Sequence, residues 1–205
     1  MDTFDLYKDI QCRTNGEIYL GVVGPVRSGK STFIKRFMDV LVLPKMTDEH
    51  AKERTVDELP QSASGKSIMT TEPKFIPEKA VKLELSGGGS FKARLIDCVG
   101  YMVDGALGHE ENEEGAAGHM ENGAERLVKT PWNEKEIPFT KAAEIGTKKV
   151  IHDHSTIGIV VTTDGSIGEL PRNSYRAAEK KTIQELKSIG KPFVVLVNTR
   201  KPYSA

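Results

Sequence analysis

The stretch GPVRSGKS, residues 24–31, constrains this chain more than any other feature. Gly24 and Gly29 bracket four residues, and Lys30 and Ser31 follow. That is the spacing of a phosphate-binding loop, whose backbone N–H groups turn inward around phosphate oxygens. Such a loop needs a buried strand before it and a helix after it. EIYLGVV (17–23) supplies the strand. STFIKRFMDVLVL (31–43) supplies the helix, with Phe33, Ile34, Phe37, Met38 and Leu41 on its inner face and Pro44 helping to end it. The nucleotide-binding set is Gly24, Pro25, Val26, Arg27, Ser28, Gly29, Lys30, Ser31 and Thr32, joined by Gly100 and Asn198 further along the chain. Lys30 brings positive charge to the β- and γ-phosphates, and Ser31 offers a hydroxyl to Mg²⁺. The helix points its positive dipole end at the same anion. Arg27 either touches a phosphate or a neighbouring molecule, or is a solvated arginine, and it receives no catalytic role.

The chain has 205 residues, enough for one domain with a real core. Its 29 lysines and arginines match its 29 aspartates and glutamates. A nucleic-acid partner is not expected from that balance. Cys12 and Cys98 show no paired spacing, which suits a reduced cytosolic protein. The N-terminus carries early acidic residues and no long apolar run, so neither a signal peptide nor a membrane span is expected. Membrane association would be peripheral.

Residues 1–15 form an N-terminal helical segment in this reading, with a short helix over 3–13 capped by Thr3. Residues 16–205 form the phosphate-loop domain. Residues 45–79 are a long polar loop, with a short helix at 48–58. AVKLEL (80–85) and FKARLID (91–97) form an antiparallel hairpin about the SGGGS turn. Residues 104–125 hold seven acidic residues and no lysine or arginine, and an acidic, glycine-rich insertion is drawn over 104–136. A helix over 139–151, a buried strand at 156–163, an amphipathic helix at 172–190 and a buried strand at 192–198 complete the pattern. Alternating strands and helices predict an α/β fold with a mostly parallel sheet.

Hydrolysis needs a metal-side carboxylate. Asp97 ends the hairpin strand and opens DCVG, which resembles the DxxG motif of GTPase-like phosphate-loop proteins. There the aspartate serves magnesium, and the glycine N–H, here that of Gly100, senses the γ-phosphate. Thr70 and Thr71 in MTTEP stand where a threonine would close over the metal. Spacing does not choose the main sensor between them. The catalytic candidates are Lys30, Thr70, Thr71 and Asp97, and the metal set is Ser31, Thr71 and Asp97. Tyr101 follows Gly100, where many GTPases place a water-orienting glutamine, so slow turnover is expected.

The guanine-reading NKxD motif is absent. VNTRKP puts Asn198 at the asparagine position, Thr199 at the lysine and Lys201 at the aspartate. A lysine only donates and cannot accept the guanine N–H pair. The nucleotide is therefore ATP, or the site is indifferent to the base.

Five strings together resemble the stage IV sporulation protein A family across the whole chain: YLGVVGPVRSGKSTFIKRFM, SIMTTEPKFIP, ARLIDCVGYMVDGALGHEE, VIHDHSTIGIVVTTDGSI and KPFVVLVNTRKP. The resemblance implies a GTPase-like, translation-factor-related three-layer sandwich that uses ATP and Mg²⁺. It implies hydrolysis that drives or locks self-assembly into a static polymer, the basement layer of the endospore coat. It places that layer in the mother-cell cytoplasm at the forespore surface. A small amphipathic membrane-bound peptide would recruit the protein, touching the forespore membrane indirectly, and further spore coat proteins would build on it. Lys30 and Ser31 match the family's phosphate loop, Asp97 its magnesium-side aspartate, and Thr70 and Thr71 its sensor threonines. Middle and C-terminal domains, and a final strand and helix, are expected beyond the present chain.

His152 and His154 around Asp153 lack a third ligand and are discounted as a metal site, as are His109 and His119. Cys98 reads as a buried structural thiol. Trp132 is either a packing residue or an interface anchor. The acidic insertion starts right after DxxG and is expected to change with nucleotide and touch a neighbouring subunit. Two competing readings stand beside the assembly ATPase: a GTPase-like switch, and a nucleotide-binding scaffold without turnover.

Overall fold

The structure is a computed structural model describing residues 16–46, 48–60, 72–84, 90–106 and 126–203. The helix expected over 3–13, Thr70 and Thr71, most of the SGGGS turn and residues 107–125 of the acidic insertion lie outside the described residues.

Glu17–Val23 is β1, the central strand of a five-stranded sheet. Its neighbours are β3 (Ser90–Asp97) and β6 (Ile157–Thr163), both parallel to it. Antiparallel β2 (Lys74–Glu84) closes the β3 side, and parallel β7 (Phe193–Asn198) closes the β6 side. The order is β2-β3-β1-β6-β7. Helix α1 (Lys30–Phe37) follows the phosphate loop, and α2 (Glu49–Glu58) precedes β2. A ribbon of β4 (Leu127–Thr130) and β5 (Asn133–Pro138) leads into α3 (Phe139–Lys149). Helix α4 (Arg172–Ser188) precedes β7.

Strand side chains alternate between faces, so an unbroken apolar strand feeds two cores. Val23, Ile96 and Val160 face one core, where they meet Val150 and Ile151 after α3, and Tyr175, Ala178 and Leu186 of α4. Val22, Leu95, Ile159 and Val161 face the other core, with Ile34, Met38 and Val42 of α1 and its extension, and Leu59 after α2. The sheet is thus covered on both sides, as a parallel sheet requires. Gly190, with φ 63°, turns the chain out of α4. Among the described residues no helix is long and apolar enough to cross a membrane.

Four expectations need correction or extension. The first helix widens into a π-helical turn at Met38–Val42. The wider turn brings Val42 inward and leaves Leu41 43% exposed, so Leu41 is not an inner-face residue. β2 starts at Lys74, inside the expected loop. Pro77 hid it, but this is an edge strand, and its register shifts between Ile76 and Val81, where a proline is tolerated. The β4–β5 ribbon was not anticipated as strands. The strand at 192–198 is present but is not buried: Val194 is 52% and Val197 57% exposed. β7 pairs only with β6 among the described residues, so its outer edge and parts of both faces stay open.

The buried and open strands predict different costs. Ile96→Ala, at a fully buried position, is expected to lose about 2–5 kcal/mol. Val197→Ala is expected to lose less than about 1 kcal/mol in the 205-residue chain. Urea titration of the two variants checks this.

Candidate nucleotide site

β1 lies between β3 and β6, where the strand order reverses, and open α/β sheets bind ligands beyond the C-terminal strand ends at such a point. The phosphate loop fills that end. Gly29, with φ 96°, caps α1, and the Phe33 N–H donates to the Gly29 carbonyl at 2.9 Å. A Cβ at Gly29 would come within 2.2 Å of Asn198 Nδ2, so any other residue there would displace that amide and would also be strained by the left-handed φ. Arg27 also takes a left-handed conformation, φ 58°, which is costly for a residue with a side chain.

The loop after β3 docks onto the phosphate loop through its backbone. The Tyr101 N–H donates to the Gly24 carbonyl at 3.1 Å, and the Val26 N–H donates to the Tyr101 carbonyl at 2.8 Å. This pair seats Gly100 against the loop. Gly100 has φ 95°, and a Cβ there would lie 2.2 Å from the Gly24 carbonyl oxygen and 2.6 Å from Lys30 Nζ.

Lys30 is buried, and its Nζ donates to the Pro25 carbonyl at 2.6 Å. Burial pulls its pKa down, while Cys98 and Asp97 push it back up. Asp97 sits opposite, at the end of β3, paired in register with Val22 of β1 and Lys74 of β2. Burial raises its pKa, opposed by Lys30, by the Cys98 N–H and by a hydrogen bond from the Ser31 hydroxyl. Its Oδ1 is buried without a partner, and so is Ser28 Oγ in the loop. A buried carboxylate oxygen lacking a donor is costly unless something completes it. Beside a serine hydroxyl, it suits a hard divalent cation that keeps most of its waters, so the residues present fit Mg²⁺.

At the end of β7, Asn198 Nδ2 donates to the Ser28 carbonyl at 3.4 Å. The next residues are held by Asp164, which follows β6. Thr199 Oγ1 donates to Asp164 Oδ2 at 2.5 Å, and the Ser166 N–H donates to Oδ1 at 2.9 Å. Hydrogen bonds from Ser166 and Thr199 bring the Asp164 carboxyl down to about 2. The Arg200 N–H donates to Ser166 Oγ at 3.0 Å. The carboxylate of this corner thus comes from the β6 loop rather than from position 201.

Lys30, Ser31, Asp97, Gly100 and Asn198 therefore converge, while Thr70 and Thr71 lie outside the described residues. The phenol of Tyr101 turns away from the loop and donates to Glu185 Oε2 on α4. Burial and that bond hold its pKa far above the usual range, so it is a neutral donor. Burial also pushes the Cys98 thiol up to about 11, in keeping with a structural thiol. His154 stacks edge-on to Phe75, ring centroids 5.7 Å apart, and no group of three or more metal-ligating side chains occurs among the described residues. Sequence reasoning missed the Asp164 corner and the Tyr101–Glu185 bond. DGS after a strand is a legible turn signal for the first. The second joins positions 84 residues apart and leaves no local trace.

With this geometry in place, the sequence matches the family described as "Stage IV sporulation protein A, ATPase domain" over residues 1–205. The chain belongs to that family. It is 55% identical to stage IV sporulation protein A of Bacillus anthracis and to that of Bacillus subtilis (strain 168), over 99% of the chain in each case. It is 56% identical to the Clostridioides difficile (strain 630) protein over 98% of the chain. In each alignment the chain spans 39% of the relative's length.

The seat of Gly100 generates a prediction. Gly100→Ala forces a side chain into the Gly24 carbonyl and Lys30, at a left-handed φ. A destabilisation of about 1–3 kcal/mol and weakened nucleotide binding are expected, read by thermal unfolding and by titration with a fluorescent ATP analogue.

Proposed function

We propose that this domain binds ATP with Mg²⁺ and hydrolyses it slowly to ADP and phosphate. Turnover would serve self-assembly into the basement layer of the endospore coat. The observation that carries the reading is the unpartnered, buried Asp97 Oδ1 beside Ser31 and Lys30 at a phosphate loop. Membership in an ATPase-domain family supports the same reading. The sheet order, with one antiparallel strand and helices on both faces, is compatible with a GTPase-like, translation-factor-related layout.

In this mechanism the phosphate-loop backbone and the α1 N-terminus hold the phosphates, and Lys30 leaves the Pro25 carbonyl to meet them. Ser31 and Asp97 would hold Mg²⁺, with Thr71 joining them and Thr70 beside it. When bound, the cation neutralises charge on the β- and γ-phosphate oxygens. The Gly100 N–H contacts the γ-phosphate. Asn198 braces the loop through Ser28, and Thr199 and Lys201 in place of the guanine reader favour adenine. The domain would act in the mother-cell cytoplasm at the forespore surface. A small amphipathic membrane-bound peptide would recruit it, other coat proteins would be its partners, and no nucleic acid would be involved.

One observation favours a second reading. Tyr101 points away from the phosphates and cannot orient water, which suits a nucleotide-binding scaffold without turnover. Steady-state phosphate release by the full-length protein, with assembly followed by sedimentation, separates the two. The expected result is slow ATP turnover, reduced at least about 100-fold in Lys30→Ala and Asp97→Ala, together with loss of assembly. Assembly that persists in a variant with no turnover would make the nucleotide a structural ligand only.

A further inference from the structure

We infer that Tyr101 is a positioning residue for ATP turnover: its hydroxyl bond to Glu185 on α4 holds the Gly100 peptide in the place where its N–H meets the γ-phosphate. This rests on the reading of Gly100 as the γ-phosphate contact.

Gly100 holds its place only weakly through its own groups, its N–H facing the Cys98 thiol. It has no side chain, and its left-handed φ is one that glycine can leave at little cost. Cys98 anchors the loop ahead of Gly100, its Sγ 3.5 Å from the Val22 carbonyl, and Tyr101 anchors it on the other side. Its backbone clamps the phosphate loop through Gly24 and Val26, and its side chain runs the other way, into the core under α4. The residue is only 4% exposed, so the ring packing alone could be met by phenylalanine. The hydroxyl is what packing does not explain. It reaches the Glu185 carboxylate on α4, and a separate charged cluster stands against the ring. Lys181 Nζ lies 4.5 Å from the centre of the Tyr101 ring and donates to Glu144 Oε1 on α3 at 2.9 Å. Lys148 Nζ lies 2.8 Å from the same oxygen. The loop after β3 is therefore held between the phosphate loop on one side and α3 and α4 on the other. A small error in the placement of a contact made to the transferred group costs much of its catalytic value.

The test compares Tyr101→Phe, Glu185→Leu and Glu185→Gln in the full-length protein. The readouts are kcat and KM for ATP, affinities for ATPγS and ADP by calorimetry, and thermal unfolding. Tyr101→Phe and Glu185→Leu are expected to lower kcat about 10-fold and to weaken ATPγS about 5-fold. ADP affinity should stay unchanged, and Tm should stay within about 2 °C. Glu185→Gln should stay within about twofold of wild type, because its amide oxygen still accepts the phenol hydrogen. A Tyr101→Phe variant with wild-type kcat and wild-type ATPγS affinity would overturn the inference. So would an equal loss of ADP and ATPγS affinity, which would mean that the pair supports the whole loop. If the wild type binds ATPγS but releases no phosphate, the ATPase reading fails, and the ratio of ATPγS to ADP affinity still decides the role of Tyr101.

Discussion

Two backbone hydrogen bonds join the loop after β1 to the loop after β3, and the site depends on them. The Tyr101 N–H reaches the Gly24 carbonyl, and the Val26 N–H reaches the Tyr101 carbonyl. They join the two segments again past the last β1–β3 pair, Val22 with Asp97, as an isolated parallel bridge between Pro25 and Tyr101. The phosphate loop and the candidate γ-phosphate contact thereby become one rigid unit. The glycine on the β3 side of that seam follows from its closeness, while Gly24 is crowded from β6, where a Cβ would lie 2.4 Å from the Val161 carbonyl oxygen. Gly100 lies against the Gly24 carbonyl, where a methyl group would not fit. Lys30 and Asp97 face each other across the same seam. Each is buried enough that its charge is disfavoured, and each is partly compensated by the other. Such a pair suits a place where a polyanion and a cation enter together.

The parts of the site that obey local rules were legible in the sequence. GPVRSGKS between an apolar strand and an amphipathic run needs only spacing and periodicity to be read, and DCVG at a strand end needs little more. The short helix expected at 48–58 is of the same kind: α2 forms there, and Asp48 accepts hydrogen bonds from the N–H groups of His50 and Ala51, two and three residues on. What escaped depended on distant contacts. Leu41 turned outward because the helix widened at Met38, and no local pattern announces a π-helical turn. β2 was hidden by Pro77 because composition cannot say which strand will lie at an edge. Tyr101 looked like a missing glutamine, and only the position of α4 gives its hydroxyl a partner.

β7 carries a further lesson about pattern and burial. FVVLV has the unbroken apolar character of a strand covered on both faces, yet its valines are among the most exposed apolar side chains described. Periodicity reports what a segment is suited to, and neighbours decide what covers it. The strand still does its work for the site. Its end delivers Asn198 to the phosphate loop and Thr199 to Asp164, so this corner is built by the segments that follow β6 and β7. Family membership accords with a nucleotide site of this kind, and the corner's lysine at position 201 accords with the proposal that adenine is the base held there.

The central claim is that Asp97 completes a Mg²⁺–ATP site, and the magnesium dependence of ATPγS affinity tests it most directly. Calorimetric titrations with and without Mg²⁺, on wild type and Asp97→Asn, isolate the contribution of one oxygen. The account predicts that Mg²⁺ tightens binding at least about 10-fold in the wild type, equal to about 1.4 kcal/mol, and hardly at all in the variant. An equal magnesium effect in both proteins would contradict it and would place the cation on other groups.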